Sequence, residues 1–417
     1  MSSRIVTLES TAARWGFVLL AACALVVYSW QASQPWRAAR HASRLTEQDL
    51  TEAVSLQPWD ATYASALGRY YFFARQSTPT ALPYLKRATE LNPDVGRYWL
   101  DLAAAYRVAN STSQERKTLR RAAAAEPRNP EVLWETANYW LSQGDTETAL
   151  QQFRAILESD EYADAALQIC WRATHDVSRV DALLNGSVAR HAAFLGLLGN
   201  SRDVANARLE WQRIDKSTEA VEIASVAPYV EALISAHNLG DAGQVWRRTL
   251  ELNHLADNYI KPTNLVENGG FEQSLLNAGF DWRHVPSPGI SVSLDSLAFH
   301  SGRQALFLQF ENAQQSDLGV WQLVQVAPGT RYRFSAWVQT EELTGTEAPH
   351  IEIEDAASAT RLFMSDPASG SDVWHELQGE FTTATATQAV RVRLARRSAS
   401  GALDGRLWVD DVTITAE

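Results

Sequence analysis

The chain has 417 residues, 46% of them apolar and 21% charged, which excludes general disorder and leaves room for two or three domains with cores of their own. Its net charge of -12 is unevenly placed: Asn264 to Glu417 holds 10 Lys+Arg against 20 Asp+Glu, and the remainder is nearly balanced at 27 against 29. An acidic C-terminal third argues against nucleic acid and anionic polymers as ligands.

After a short tail over residues 1–14, Trp15 to Trp30 carries no charge. Sixteen helical residues reach about 24 Å, somewhat short of a bilayer core of about 30 Å. Trp15, Tyr28 and Trp30 suit the two interfaces, and Arg14 extends the reach by snorkelling. The pattern predicts a transmembrane helix over residues 15–32. Two other readings are a cleaved signal peptide and a lipobox, Leu20-Ala21-Ala22-Cys23. Against both, the apolar run continues through Ala24-Leu25-Val26-Val27. Arg37, Arg40 and Arg44 outnumber Arg4 and Arg14, which favours a cytoplasmic C-terminal side. The other cysteine, Cys170, falls in a helical pattern, so no intramolecular disulfide is expected, and no Cys/His cluster has zinc spacing.

Residues 46–258 carry a repeat. Pro93 and Pro127 are 34 apart, and Gly68, Ala103 and Ala137 recur at 35 and 34. Leu67-Gly68, Tyr71, Ala81, Leu85 and Ala88 form the first unit. Trp99, Leu102-Ala103, Tyr106, Leu119 and Ala122 form the second. Leu133, Ala137, Trp140, Gly144-Asp145, Ala149, Phe153 and Ile156 form the third. This resembles the tetratricopeptide repeat, whose large residues fill the space between paired helices and whose small ones let them approach. The pattern fades after Glu161, with Leu198-Gly199-Asn200 and Leu239-Gly240-Asp241 reading as helix–helix turns. The resemblance implies an α-solenoid that recruits a protein partner through its groove or acts as a spacer. Asn138 and Arg107, which might line that groove, are generic for helix surfaces.

At residue 264 the period changes from helix to strand. Arg331 to Gln339 alternates strictly, with Tyr332, Phe334, Ala336 and Val338 on one face and Arg333 and Trp337 on the other. His350 to Glu354 and Val390 to Leu394 alternate too, and Ala327-Pro328-Gly329-Thr330 is a turn. Short alternating strands between Gly/Pro/Asp turns predict a β-sandwich over 264–417.

Several motifs carry a family resemblance. Asn264-Leu265-Val266-Glu267-Asn268-Gly269-Gly270-Phe271-Glu272 opens the domain. Leu407-Trp408-Val409-Asp410-Asp411-Val412-Thr413-Ile414 closes it. Phe299-His300-Ser301-Gly302 and Val320-Trp321-Gln322-Leu323-Val324-Gln325-Val326 lie between, with Trp374 and Phe381 further on. Together they resemble carbohydrate-binding module family 4/9, the CenC-like jelly rolls. The resemblance implies a structural Ca²⁺ held by Glu272 with Asp410 or Asp411, a hard-oxygen set suited to that ion. It also implies a polysaccharide or oligosaccharide ligand. Trp337, Trp321 and Trp282 are the aromatic candidates. Arg333, Glu352 and Arg393 are the polar ones, the last two expected on the face of Trp337. Trp374 and Trp408 are expected in the core.

No glycine-rich phosphate loop, HExxH or GxSxG occurs. His300-Ser301 lacks a third partner, and Glu352 with Glu354 reads as a solvated face rather than a glycosidase pair. The expectation is a non-catalytic, multidomain α plus all-β scaffold in a bacterial inner (cytoplasmic) membrane. Export, as the resemblance implies, would put its C-terminal domains on the periplasmic side. It would bind an envelope or extracellular polysaccharide through the sandwich and a protein through the repeats. The alternatives are a protein scaffold whose sandwich binds no sugar, and an adaptor facing the cytoplasm.

Overall fold

The computed structural model describes residues 10–368, 373–398 and 401–417. The first nine residues of the tail, Arg4 included, lie outside the described residues. The chain divides into two compact units, Met1–Asp176 and Val177–Glu417.

In the first unit, α1 (Thr11–Ala42) holds a stretch, Arg14–Ala42, long and apolar enough to cross a membrane or act as a signal sequence. The helix runs ten residues past the predicted end at residue 32. Its C-terminal turns pack on α2 (Glu47–Leu56), where Gln34 and Ala38 are buried. Thr46 caps α2, accepting from the Asp49 amide at 3.1 Å while its own hydroxyl donates to Asp49. Helix pairs follow: α3 (Ala61–Arg69) with α4 (Thr78–Leu91), α5 (Gly96–Val108) with α6 (Thr112–Ala125), and α7 (Pro130–Ser142) with α8 (Thr146–Leu157). The repeated small residues sit where the helices meet: Ala81, Ala88, Ala103, Ala122, Ala137 and Ala149 are all buried, and Gly68 lies against Leu85. Tyr70–Ala74 extends α3 as a π-turn, and α9 (Ala163–Thr174) ends the unit.

The second unit begins with helices and ends with the sandwich. Its helices are α10 (Val177–Asp181), α11 (Val188–Asn200), α12 (Val204–Ile214), α13 (Ile223–Ser235), α14 (Leu239–Leu252) and α15 (Ala256–Tyr259). Ten strands follow: β1 (Arg283–His284), β2 (Ile290–Asp295), β3 (Ala305–Ala313), β4 (Asp317–Gln325), β5 (Arg331–Gly345), β6 (His350–Asp355), β7 (Arg361–Met364), β8 (His375–Thr382), β9 (Ala389–Ala395) and β10 (Leu403–Ala416). They form two antiparallel sheets. Sheet I has the order β1-β4-β9-β6-β7, and sheet II the order β2-β3-β10-β5-β8. The alternating apolar residues of both close one core around Leu306, Leu308, Phe334, Ile353, Val392 and Val409.

The opening and closing motifs are paired in space. Asn264 donates to the Val412 carbonyl at 2.9 Å and accepts from the Ile414 amide at 3.0 Å, so the two chain segments hold each other. The helices are built onto the sandwich within this unit. Trp246 on α14 donates from Nε1 to Glu267 at 2.7 Å, and the Tyr259 hydroxyl donates to the Ser274 carbonyl at 2.7 Å. Gly279 sits under the Trp246 ring with φ +58°, and a Cβ there would lie 2.3 Å from the indole. Only glycine meets both demands.

Candidate functional site

Sheet II presents Trp337 outward on β5, opposite Asp410 on β10 and Glu376 on β8. One face of its indole is taken: the His300 ring stacks on it at 3.8 Å and 10°. Trp374 lies against the same imidazole at 5.8 Å and is half-buried, on the surface rather than in the core where the sequence reading put it. Trp408 is buried on this outer side, with Nε1 donating to Asp295 at 2.8 Å and the ring against Phe307. Arg333 points outward toward Glu380 and Glu417, well exposed.

Sheet I carries the other candidates. The expectation that Glu352 and Arg393 share the face of Trp337 does not hold, because β6 and β9 belong to sheet I and β5 to sheet II. Alternation tells which residues share a side of one strand, not which sheet that strand joins. On sheet I, Trp321 faces out opposite Arg283 of β1 and Arg393 of β9. The Arg283 guanidinium lies 4.7 Å and that of Arg391 5.0 Å from the indole centroid. Next to them Glu352 accepts from Arg393 at 2.7 Å and Arg361 at 3.2 Å, and Glu354 accepts from Arg391 at 3.2 Å. Glu352 and Glu354 are buried beneath these arginines, not solvated. Trp282 is not available to a ligand at all. It is 3% exposed and packs on Phe271 in the core, 5.1 Å between centroids.

Of the three candidate metal ligands, Asp411 and Asp410 bring an Oδ1 to 3.6 and 3.9 Å from the position a Cβ would take on Gly270, whereas Glu272 approaches it only with its Cγ, at 4.0 Å, its carboxylate being turned to the 303–304 amides. Asp411 has φ 48° at a break in the β10 register, and this bulge lets two successive acids reach the same turn. Asp410 accepts from the amides of His300 at 2.9 Å and Ser301 at 3.1 Å; Asp411 accepts from the Ser301 hydroxyl at 2.8 Å and pairs with His300 Nδ1 at 2.7 Å. Glu272 accepts from the Arg303 amide at 2.7 Å across Gly302, whose φ of +71° and lack of a side chain leave room for the carboxylate. Burial pushes the Asp410 carboxyl up to about 6, against the pull of those amides. Every carboxylate oxygen thus already accepts from the chain. Among the described residues no three acid, His or Cys side chains are arranged to hold a metal ion.

Arg391 was legible in the alternation Val390-Arg391-Val392-Arg393, which puts both arginines on one face. Arg283 was not, because β1 is two residues long and has no period.

Residues 263–401, about a third of the chain, match the CBM_4_9 family model, described as "Carbohydrate binding domain". The match spans β1 to β9 of the C-terminal sandwich. The chain is also similar to a solved structure described as "CBM4 structure and function" (14% identity, 36% of this chain and 99% of that one, TM-score 0.29). Another similar structure is the CBM22-1 xylan-binding domain of Paenibacillus barcinonensis Xyn10C (14% identity, 36% and 91%, TM-score 0.25). A third is Pseudomonas aeruginosa pilF (16% identity, 48% and 96%, TM-score 0.26). Likenesses this distant carry no weight for function. No curated protein matches the chain.

Proposed function

We propose that the protein is a non-catalytic, membrane-anchored scaffold that binds an envelope or extracellular polysaccharide through its sandwich. The observation that carries the reading is the match of residues 263–401 to a carbohydrate-binding family. The outer face of sheet I is the favoured surface, because Trp321 stands there with Glu352 and Arg393. Sheet II carries only Trp337 and Arg333 of the six candidates, both on β5. The test is retention of the full chain, in detergent micelles, by a panel of immobilised polysaccharides. Trp321→Ala is expected to abolish retention and Trp337→Ala to leave it intact. A blank panel with folded protein would favour the pure protein scaffold.

The rest of the proposal concerns the anchor, the repeats and an ion. Helix α1 holds the chain in the inner membrane, with the C-terminal units outside the cytoplasm. A phosphatase reporter fused after Glu417 should be active only outside it, and activity confined to the cytosol would reverse the orientation. The tetratricopeptide-like pairs α3 to α8 present a groove to a protein partner. Calcium at Glu272, Asp410 and Asp411 would have to displace donors of the 300–304 turn. An unchanged unfolding temperature in chelator would set that ion aside.

A further inference from the structure

Sheet I is not open along its whole outer face. Helices α13 and α14 stand over the β4 end of it. Gln325 donates to the Leu239 carbonyl at 2.5 Å, and Arg283 forms a two-pronged pair with Glu231 of α13 at 3.1 and 2.5 Å. Between helices and sheet lies a cavity of about 370 Å³. Ile234, His237 and Leu239 line it from the helical side, and Trp321, Leu323 and Arg391 from the sheet.

Three features of this cavity constrain its ligand. Its charges are balanced, since Arg283 is paired with Glu231 and Arg391 with Glu354. An anion therefore gains little there. Its hydrogen bonding is not balanced: the buried Nε–H groups of Arg283 and Arg391 have no acceptor. Both atoms are closed to solvent, so an acceptor oxygen in the cavity reaches them once the two guanidiniums turn toward it. Finally, Ile234, Leu239 and Leu323 make an aliphatic wall, and the edge of the Trp321 indole adjoins it beside the two guanidiniums, surfaces that suit C–H groups. A neutral molecule with acceptor oxygens on one side and C–H groups on another satisfies all three.

We infer that this cavity is a subsite for a neutral saccharide, built jointly by α13, α14 and sheet I, so that the helices are part of the ligand site. The inference rests on the reading that the sandwich binds glycan, and adds that the sandwich alone does not contain the whole site.

The test uses the full chain in detergent micelles. The neutral probes are xylohexaose and β-1,4-galactotriose, and the acidic probe is polygalacturonate. Two substitutions fill the cavity from opposite walls, Ile234→Trp from α13 and Ala386→Trp from the loop before β9. Both positions are partly or fully exposed, so the fold should tolerate them. Hydrogen exchange confirms folding, and Trp337→Ala serves as the control on the opposite sheet. The expected result is binding of a neutral probe, weakened at least tenfold by either filling variant and unchanged by Trp337→Ala. Neutral binding that survives both filling variants would overturn the joint subsite and leave the glycan reading standing. Tighter binding of polygalacturonate would overturn the neutral class. Binding of no probe by folded protein would overturn the subsite together with the glycan reading beneath it.

Discussion

Asp281 gives the sharpest test of the junction between helices and sandwich. Its side chain is fully buried. Oδ2 accepts from the Leu276 amide at 2.6 Å, and Oδ1 has no partner. Burial pushes its carboxyl from 3.8 up to about 7; the nearby Glu267 pushes the same way, and the Leu276 and Trp282 amides and Arg283 oppose it. A rise of about 3 units corresponds to roughly 4 kcal/mol. The sign follows from proton binding. The unfolded chain loses this proton near pH 4 and the folded chain near pH 7, so the folded state holds more protons between them. Its contribution is fully present below pH 4, is lost as the pH rises from 4 to 7, and is level above that. Asp281→Asn fixes the neutral form. Its amide would place an N–H at the partnerless Oδ1 position, at a cost of about 1–3 kcal/mol. The variant should therefore be about 1–3 kcal/mol more stable than the parent at pH 8 and less stable by a similar amount at pH 4. Urea unfolding of the full chain in micelles, followed by hydrogen exchange over residues 264–295, measures both. An equal loss at the two pH values would refute the reasoning, because it would mean that Asp281 is charged and needed throughout.

Two further substitutions probe the same unit. Gly279→Ala combines a left-handed backbone, about 1–2 kcal/mol for a residue with a Cβ, with overpacking against Trp246, about 1–3 kcal/mol. A loss of about 2–5 kcal/mol in unfolding free energy is expected, and no loss would contradict the close contact of α14 with the sandwich. Trp282→Ala should cost about 3–5 kcal/mol as a large-to-small core change. Where the variant remains folded its retention on polysaccharide should match the parent, and a selective loss of retention would return Trp282 to the ligand site.

The sequence was most informative where a period was long and strict. The 34-residue spacing of small residues marked the helix contacts at Ala103 and Ala137, because only small side chains fit there whatever the neighbours are. The alternation from Tyr332 to Val338 likewise fixed which side chains enter the core. It could not say that β5 and β6, consecutive in sequence, lie in different sheets, and that one missing fact scattered the candidate cluster of Trp337, Glu352 and Arg393. Trp282 precedes a two-residue strand, so no pattern marked it as core. Trp374 came out on the surface, where the His300 ring stacked on Trp337 offers it an aromatic contact, a tertiary feature that spacing does not encode. The acid cluster was legible as chemistry but not as geometry: the bulge at Asp411 turns both acids onto the 300–301 turn.

The junction also bears on how function must be measured. Arg283 on sheet I has its carboxylate partner, Glu231, on α13, some fifty residues upstream. Cutting the chain at residue 264 would remove Glu231, Trp246 and Leu239 together. Arg283 would then keep a cation over Trp321 with no paired acid, and Glu267 would lose its indole donor. Burial holds the Glu267 carboxyl at about 7, with the Trp246 donor pulling it down. Solvent entering that gap would let it ionise at a lower pH. The excised sandwich would thus carry a different charge on the face proposed to meet the ligand, and Leu323, now 6% exposed, would lose its cover. A failure of that fragment to bind glycan would not count against the full chain, whereas a fragment that bound as tightly as the full chain would show that α13 and α14 add nothing to the site.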